Sequence, residues 1–175
     1  MTCVSSDLER RVLAGDTAAF GAYIRENDRR LRGVAWSVVR DAHRTDDVMQ
    51  AAYEKAFRAL DRYDGRAALS TWLHSIVYRT ALDDLRYEGR RRHDDVDVIG
   101  GRAPTGPDAA TSAVDRMELE SVLDNLNPAD RAALTLTVGL GHSYDEAAEI
   151  LGERRGTIAS RVSRARERRT RWEQS

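Results

Sequence analysis

The stretch Ser143 to Arg171, SYDEAAEILGERRGTIASRVSRARERRTR, predicts two short helices joined by a tight turn. Ser143 and Glu146 have the spacing of a capping box, in which each side chain accepts the backbone N–H of the other residue. Gly152 follows the apolar positions of the first helix and can adopt the left-handed conformation that commonly ends a helix. A second helix is expected from about Arg155, and its buried stripe is predicted to be Ile158, Val162 and Ala165.

The second of these helices is strongly basic. Between Glu153 and Glu173, eight arginines and three glutamates give a local net charge of +5. Small polar side chains on the outward face would let the helix approach the floor of a DNA groove, while neighbouring guanidiniums reach phosphates or guanine edges. These small residues are Thr157, Ser160 and Ser163. The pattern is typical of a DNA-binding helix-turn-helix. The alternative is an amphipathic helix pair with a solvated basic face.

The composition favours a helical protein that acts through local charged patches. The chain has 175 residues, of which 41% are hydrophobic and 33% charged, with a net charge of −1 and only three prolines. Any affinity for DNA must therefore come from local patches. The single cysteine, Cys3, excludes an intrachain disulfide, and the four histidines lack metal-ligand spacing. We expect no metal, no cofactor and no catalytic activity, and the lack of a signal peptide or long apolar run predicts a cytoplasmic location.

Four helices are predicted in the N-terminal half, because apolar residues recur there at helical spacing. The predicted spans are Leu8 to Ala14, a cap at Asp16 or Thr17 to Val39, about Thr45 to Leu60, and a cap at Ser70 to about Arg86 or beyond. Asn27 is a candidate break in the second helix. The stripe Leu73, Ile76, Val77, Ala81 and Leu85 is predicted to bury one side of the fourth helix.

The helical periodicity stops between residues 93 and 112, where glycine and proline pairs predict a flexible linker. Helical spacing then returns, and Asn127 and Pro128 have the residue types of a cap and a first helical position. The inward side of this helix is predicted to carry Ala132, Ala133, Leu136 and Val138. The expected fold is all-α, with one helical domain at 1–92, a linker at 93–112 and a helix-turn-helix domain at 113–175.

Several short motifs occur along the chain in a defined order. The C-terminal half contains LNPADR at 126–131, SYDEAAEILG at 143–152, GTIASR at 156–161 and SRARER at 163–168. The N-terminal half contains DDVMQ at 46–50, ALDRY at 59–63, STWL at 70–73 and ALDDLR at 81–86. In this order they resemble regions 4 and 2 of bacterial extracytoplasmic-function (ECF) sigma factors, group IV of the sigma-70 family. The resemblance covers nearly the whole chain.

The resemblance implies a protein that binds core RNA polymerase and directs it to promoters. In region 2, the residues that match the polymerase-binding helix are Asp46, Asp47, Gln50 and Glu54. Those that match the segment melting and reading the −10 element are Tyr63, Asp64, Arg66, Trp72, Arg79, Asp83 and Arg86. In region 4, the implied −35 contacts are Arg154, Arg155, Thr157, Ser160, Arg161, Ser163 and Arg164. Many family members are also held by an anti-sigma protein, which makes one a possible partner here.

The chain departs from the family pattern at a few positions. The loop Tyr63-Asp64-Gly65-Arg66 stands where Phe-Arg-Gly-Glu is usual, while Ala51 and Ala159 replace a usual glutamate and a usual basic residue. Arg79 matches the asparagine that commonly lines the pocket for a flipped −10 base. Because a guanidinium offers donors only, we expect Arg79 either to favour an acceptor-rich base edge or to pair with Asp64.

Two other readings of the sequence remain open. The first is a stand-alone helix-turn-helix regulator whose N-terminal domain dimerises or senses a ligand. Such a domain has no reason to carry Asp47, Gln50 and Trp72 followed by a basic helix. The second is a degenerate sigma-like protein that binds polymerase without initiating transcription, which the departures at Ala51 and Arg79 would suit.

Overall fold

A computed structural model describes residues 3–94, 123 and 125–173 of the chain. Within these ranges the chain forms seven α-helices and no strand. The helices are α1 Cys3–Leu13, α2 Thr17–Val39, α3 Ala42–Ala59, α4 Leu69–Asp94, α5 Pro128–Leu134, α6 Tyr144–Leu151 and α7 Arg155–Glu173. A 3-10 turn, Leu60–Arg62, follows α3, and a π-helical turn, Thr135–Gly139, follows α5.

The first two helices are longer or more regular than the sequence predicted. α1 begins at Cys3 rather than Leu8, because Ser6 and Asp7, residue types that commonly cap a helix, lie inside it here. α2 passes through Asn27 without the suggested break. The Asn27 side chain donates from Nδ2 to the carbonyl of Tyr23 at 2.9 Å, so its amide is satisfied along the helix itself.

Aspartate caps set the starts of α2 and α3. The carboxylate of Asp16 accepts the N–H of Ala19 at 3.0 Å, and that of Asp41 accepts the N–H of Arg44 at 2.9 Å. Arg40, between the two helices, has a φ of 52° and donates its N–H to the carbonyl of Trp36. This left-handed residue ends α2 sharply, so that α3 begins at Ala42, three residues before the predicted start.

The N-terminal core lies where α2, α3 and α4 pack together. α4 supplies a buried stripe at every fourth residue, while Ile76 and Leu85, two residues of the predicted stripe, are only half-buried. Full burial of one such aliphatic side chain contributes about 1.5–3 kcal/mol to folding. The fully buried large residues of this core include Phe20, Tyr23, Leu31, Val34, Met49, Leu69, Leu73 and Val77.

The helix caps of the C-terminal domain lie at the residues that the sequence predicted. Asn127 caps α5 by accepting the N–H of Asp130 at 2.8 Å, with Pro128 at the first helical position. The capping box at Ser143 and Glu146 is present, and Gly152 ends α6 with a φ of 68°. Ile158, Val162 and Ala165 are buried as expected. Val138 is not: its side chain is 55% exposed, because the π-helical turn shifts the register of the residues that follow Leu134.

The two domains contact each other. α4 packs against α6, and α2 packs against α5. A second face of α4 is therefore buried, and it carries His74 and Tyr78 one turn apart. Burial and the nearby Glu153 carboxylate raise the pKa of Tyr78. The predicted linker begins two residues too early, since α4 continues to Asp94, and the rest of the linker lies outside the described residues.

Candidate nucleic-acid interface

The outward face of α7 presents the small and basic residues predicted to bind DNA. Its buried face is formed by Ile158, Val162 and Ala165, which pack it onto the C-terminal core. On the outward face Ser160 donates its hydroxyl to the carbonyl of Gly156 at 3.0 Å, so this small side chain lies flat along the helix. The exposed residues at the start and on this face of the helix are Arg154, Arg155, Thr157, Ser160, Ser163 and Arg164. Such a surface fits a groove.

Arg155 is oriented by contacts with α6. Its Nε lies 3.5 Å from Oδ1 of Asp145, and its guanidinium lies 5.9 Å from the ring centroid of Tyr144. Both partners of the ion pair are largely exposed, so the pair itself contributes little to stability. Its effect is to hold the first arginine of α7 against the preceding helix.

Arg161 has its whole guanidinium engaged within the domain, unlike the more exposed Arg155 and Arg164. Nε and one terminal nitrogen donate to the two carboxylate oxygens of Glu153, each at 2.7 Å, and the other terminal nitrogen donates to Asp130 at 2.8 Å. Its side chain is only 19% exposed. The hydrogen bonds with Glu153 and then Asp130 raise its pKa further above the ordinary arginine value. Its predicted contact with DNA would require these bonds to break.

Asp130 is the buried centre of this network. Its side chain is 1% exposed, and it accepts hydrogen bonds from Asn127, Arg161 and Arg164. Burial opposes its ionisation, but the hydrogen bonds from Arg161 and Arg164 outweigh that effect and hold its pKa below the ordinary value. The sequence analysis did not identify this residue. No local spacing pointed to it, because its arginine partners lie 31 and 34 residues away on another helix.

A second candidate surface lies around the loop that precedes α4. The rings of Tyr63 and Trp72 have centroids 5.1 Å apart with a 37° tilt. The Tyr63 hydroxyl donates to the carbonyl of Ala67 at 2.9 Å, which fixes the loop across its base. Gly65, at its tip, has a φ of 73° and lies against Leu13 of α1. A pair of adjacent aromatic rings, one on this braced loop and one on the first turn of α4, can stack on unpaired bases.

The Asp64 carboxylate in this loop pairs with Arg66 rather than Arg79. Oδ2 of Asp64 lies 3.0 Å from Nε of Arg66, and both side chains are largely exposed. Arg79 is exposed on α4, where the part of the chain that the structure describes offers it no ion-pair partner. Further along α4, Asp83 lies 3.7 Å from Arg86 and 3.6 Å from Lys55. The loop and this face of α4 therefore form a polar surface that carries both positive and negative side chains.

The outer face of α3 carries all four residues predicted to bind polymerase. Asp46 pairs with Arg32 of α2, and Glu54 lies 3.3 Å from Arg58. Asp47 and Gln50 are exposed on the same face. Phe57 continues this stripe and is 59% exposed, a large apolar residue at the end of an acidic surface. The sequence analysis did not single it out, although its spacing from Gln50 and Glu54 already indicated the outer face.

In residues 3–94 and 125–173, no three or more His, Cys, Asp or Glu side chains are grouped to hold a metal ion. Over the same residues, no helix combines the length and apolar character that crossing a membrane requires.

Comparison with known proteins identifies the family. Residues 23–91 match the family model of sigma-70 region 2, and residues 116–168 match that of sigma-70 region 4. The RNA polymerase sigma-H factor of Pseudomonas aeruginosa is 34% identical over 171 residues, which cover 91% of this chain and 89% of that protein. The ECF RNA polymerase sigma-E factor of Haemophilus influenzae is 31% identical over 174 residues, with coverages of 91% and 90%. The chain belongs to the ECF sigma factor family.

Solved structures agree with this assignment. The sigma factor RpoE of Bartonella quintana, crystallised with the anti-sigma factor NepR, superposes with a TM-score of 0.77 at 30% identity, over 87% of this chain and 94% of that one. CnrH, solved with the cytosolic domain of CnrY, gives a TM-score of 0.70 at 25% identity, over 98% and 97%.

In this ECF sigma factor, the region 2 match spans most of α2 and all of α3, and it ends within α4. The region 4 match spans α5, α6 and most of α7, through Arg168. The protein is therefore a promoter-specificity factor of transcription initiation. The reading as a stand-alone helix-turn-helix regulator is wrong, because the N-terminal domain is sigma region 2.

Proposed function

We propose that this sigma factor binds core RNA polymerase through the outer face of α3. The exposed Asp47 and Gln50, with Phe57 beside them, offer a basic partner both charge complementarity and an apolar anchor. Asp46 and Glu54 extend the acidic surface, although each already has an arginine neighbour within the domain. The protein would supply promoter specificity in the cytoplasm, with no cofactor and no catalytic residue of its own.

The two DNA-reading surfaces would act on separate promoter elements. Tyr63 and Trp72 would stack on bases exposed at the −10 element, and Asp64, Arg66, Arg79, Asp83 and Arg86 would line their path. On region 4, the exposed small and basic residues of α7 would read the −35 element in the major groove. The observation that carries this proposal is the presence of one such surface on each of the two domains.

An anti-sigma protein is a further proposed partner. RpoE of Bartonella quintana, a protein of similar fold, was solved with the anti-sigma factor NepR, and CnrH was solved with the cytosolic domain of CnrY. An anti-sigma protein that covered the α3 face would compete directly with polymerase.

Binding measurements with and without core polymerase test this proposal. The purified chain and its complex with core polymerase are titrated against promoter duplexes at several salt concentrations. We expect sequence-specific binding and an opened −10 region only in the presence of core. Tight specific binding by the free chain, unaffected by core, would contradict the proposal. Binding to core without promoter opening would instead support the reading as a degenerate sigma-like protein.

A further inference from the structure

The strongest unassigned feature of region 4 is the buried carboxylate of Asp130. It lies on the first turn of α5, beneath the recognition helix α7. Its Oδ2 accepts a hydrogen bond from Nδ2 of Asn127 at 2.9 Å, and Asn127 in turn accepts the Asp130 N–H. The cap of α5 therefore orients the Asp130 carboxylate independently of its contacts with arginines.

The remaining oxygen of Asp130 holds two arginines of α7. Its Oδ1 lies 2.8 Å from a terminal nitrogen of Arg161 and 3.3 Å from one of Arg164. These arginines are one turn apart on α7 and therefore face the same side of the helix. Arg161 also forms a two-pronged pair with Glu153, which joins the turn after α6 to α7. A single carboxylate thus connects α5, the turn and the recognition helix.

The hydrogen bond to Asp130 fixes the orientation of the Arg164 side chain. Its side chain remains 51% exposed, so the guanidinium is anchored at one nitrogen while its other donors face solvent. A free arginine side chain loses much rotamer freedom when it binds a base edge. Anchoring it in advance reduces that loss and fixes the direction of the remaining donors. Arg161, in contrast, has both ends of its guanidinium engaged inside the domain.

We propose that Asp130 and Arg161 are positioning residues for −35 recognition, with Asp130 orienting Arg164 toward its base and Arg161 fixing the turn and helix to which Arg164 belongs. The inference rests on the proposed reading of the −35 element by α7. It changes the expected role of Arg161, which supports the DNA-reading surface instead of contacting DNA.

The test compares Asp130→Asn with Asp145→Asn in the full chain bound to core polymerase. Both variants remove one negative charge beside an arginine of the helix-turn-helix, but the Asp145 pair with Arg155 is exposed and separate from Arg164. Binding is measured on duplexes carrying every single-base change in the −35 element, at several salt concentrations. Neutralisation alone strengthens binding to all sequences alike.

The base ratio at a position is the affinity for the preferred base divided by the affinity for the other bases. We expect Asp130→Asn to reduce this ratio at one or two adjacent positions from about tenfold or more to about threefold or less. Asp145→Asn should leave the base ratios at these same positions unchanged, since its partner Arg155 lies nine residues before Arg164 on α7. Arg161→Gln should also narrow the ratios while leaving the slope of log affinity against log salt at its wild-type value, whereas a lost phosphate contact would lower that slope by about one. Wild-type ratios in Asp130→Asn, or a lowered salt slope without narrowed ratios in Arg161→Gln, would overturn the inference.

A second variant covers the case in which Asp130→Asn fails to fold. Asn127→Ser keeps a good helix cap but removes the amide that orients the Asp130 carboxylate. It should narrow the same base ratios by a smaller factor, and a folded Asn127→Ser variant with wild-type ratios would contradict the inference. If the wild-type complex itself shows no preference among −35 sequences, the proposed function has failed, and not only the role of Asp130.

Discussion

His74 of α4 and His142, which directly precedes the α6 cap, meet across the two domains, with Nδ1 of His74 3.0 Å from Nε2 of His142. The rings are perpendicular, with centroids 4.9 Å apart. A hydrogen bond between two imidazole nitrogens needs one donor and one acceptor, so the pair cannot be doubly protonated and keep this contact. The residues are 68 positions apart in sequence, and they join region 2 to region 4.

Acidification should separate the two domains. Burial first, then the neighbouring His142 and Arg30 of α2, lowers the pKa of His74 from 6.5 to about 3. Burial also lowers the pKa of His142, although Glu146 opposes this. Because an exposed His74 regains a pKa of about 6.5, protons favour the separated state below that pH. The cost to the contact is about 1.4 kcal/mol at pH 5.5, and the contact is at full strength above about pH 7.

Small-angle scattering between pH 7.5 and 5 measures this separation as an increase in radius of gyration. His74→Leu should abolish most of the pH dependence, whereas His43→Gln, a change at an exposed histidine of α3, should leave it intact. A radius that does not change with pH in the wild-type chain would contradict the assigned role of the histidine pair.

Reversing one charge on the outer face of α3 should weaken polymerase binding without unfolding the protein. Asp47→Arg changes an exposed position on the proposed interface, so the thermal midpoint should stay within a few degrees of wild type. Glu26→Arg makes the same charge change at an exposed position of α2 and serves as the control. We expect at least a tenfold loss of affinity for core polymerase from Asp47→Arg and little from Glu26→Arg. Equal losses would show a general charge effect and contradict a specific interface.

Arg79→Asn should change the base preference at the −10 element. The Asp64 carboxylate is already paired with Arg66, so the Arg79 guanidinium is available for the DNA contact that we propose. Replacement of a donor-only guanidinium by an amide should reduce the preference for acceptor-rich base edges. Asp64→Ala should affect −10 preference much less, and transcription from −10 variants measures both. Arg79 would instead pair with Asp64 in the open complex if both single variants lowered open-complex formation equally and the double variant lowered it by less than the sum of the two effects.

Removal of the α6 cap should destabilise region 4. In the capping box Ser143 accepts the N–H of Glu146 at 3.2 Å, and Glu146 accepts the N–H of Ser143 at 2.8 Å. Ser143→Ala should lower the free energy of unfolding by about 1 kcal/mol, as measured by urea denaturation. Ser163→Ala, at an exposed position of α7, is the control and should change it by less than about 0.5 kcal/mol. The cap would be unimportant if both variants unfolded at the wild-type urea midpoint.

Local signals in the sequence predicted most helix ends. Ser143, Asn127 and Asp16 were identified because a cap and the N–H it accepts lie three residues apart, so no tertiary information is needed. The buried stripe of α7 was also predicted correctly, since its spacing alone defines it. The start of α1 was predicted too late, because Ser6 and Asp7 are typical cap residues but lie inside the helix.

Contacts between distant residues could not be predicted in this way. His74 lies 68 residues from His142, and no spacing rule connects a histidine on α4 with one before α6. Arg161 looked like the other arginines of a basic helix, and only the position of Asp130 on α5 distinguishes it. The outward face of α7 was thus predictable as a candidate surface, but the division that we propose between reading and positioning residues depends on contacts that only the structure shows.

Transcription in vitro tests the central claim most directly. The purified protein is added to core RNA polymerase with a library of promoter sequences, and the transcripts are sequenced from their 5′ ends. We predict initiation from a limited set of promoters that share one −35 and one −10 sequence, with the −10 sequence altered in Arg79→Asn. Transcripts no different from those of core polymerase alone would contradict the assignment of this chain as an initiating sigma factor.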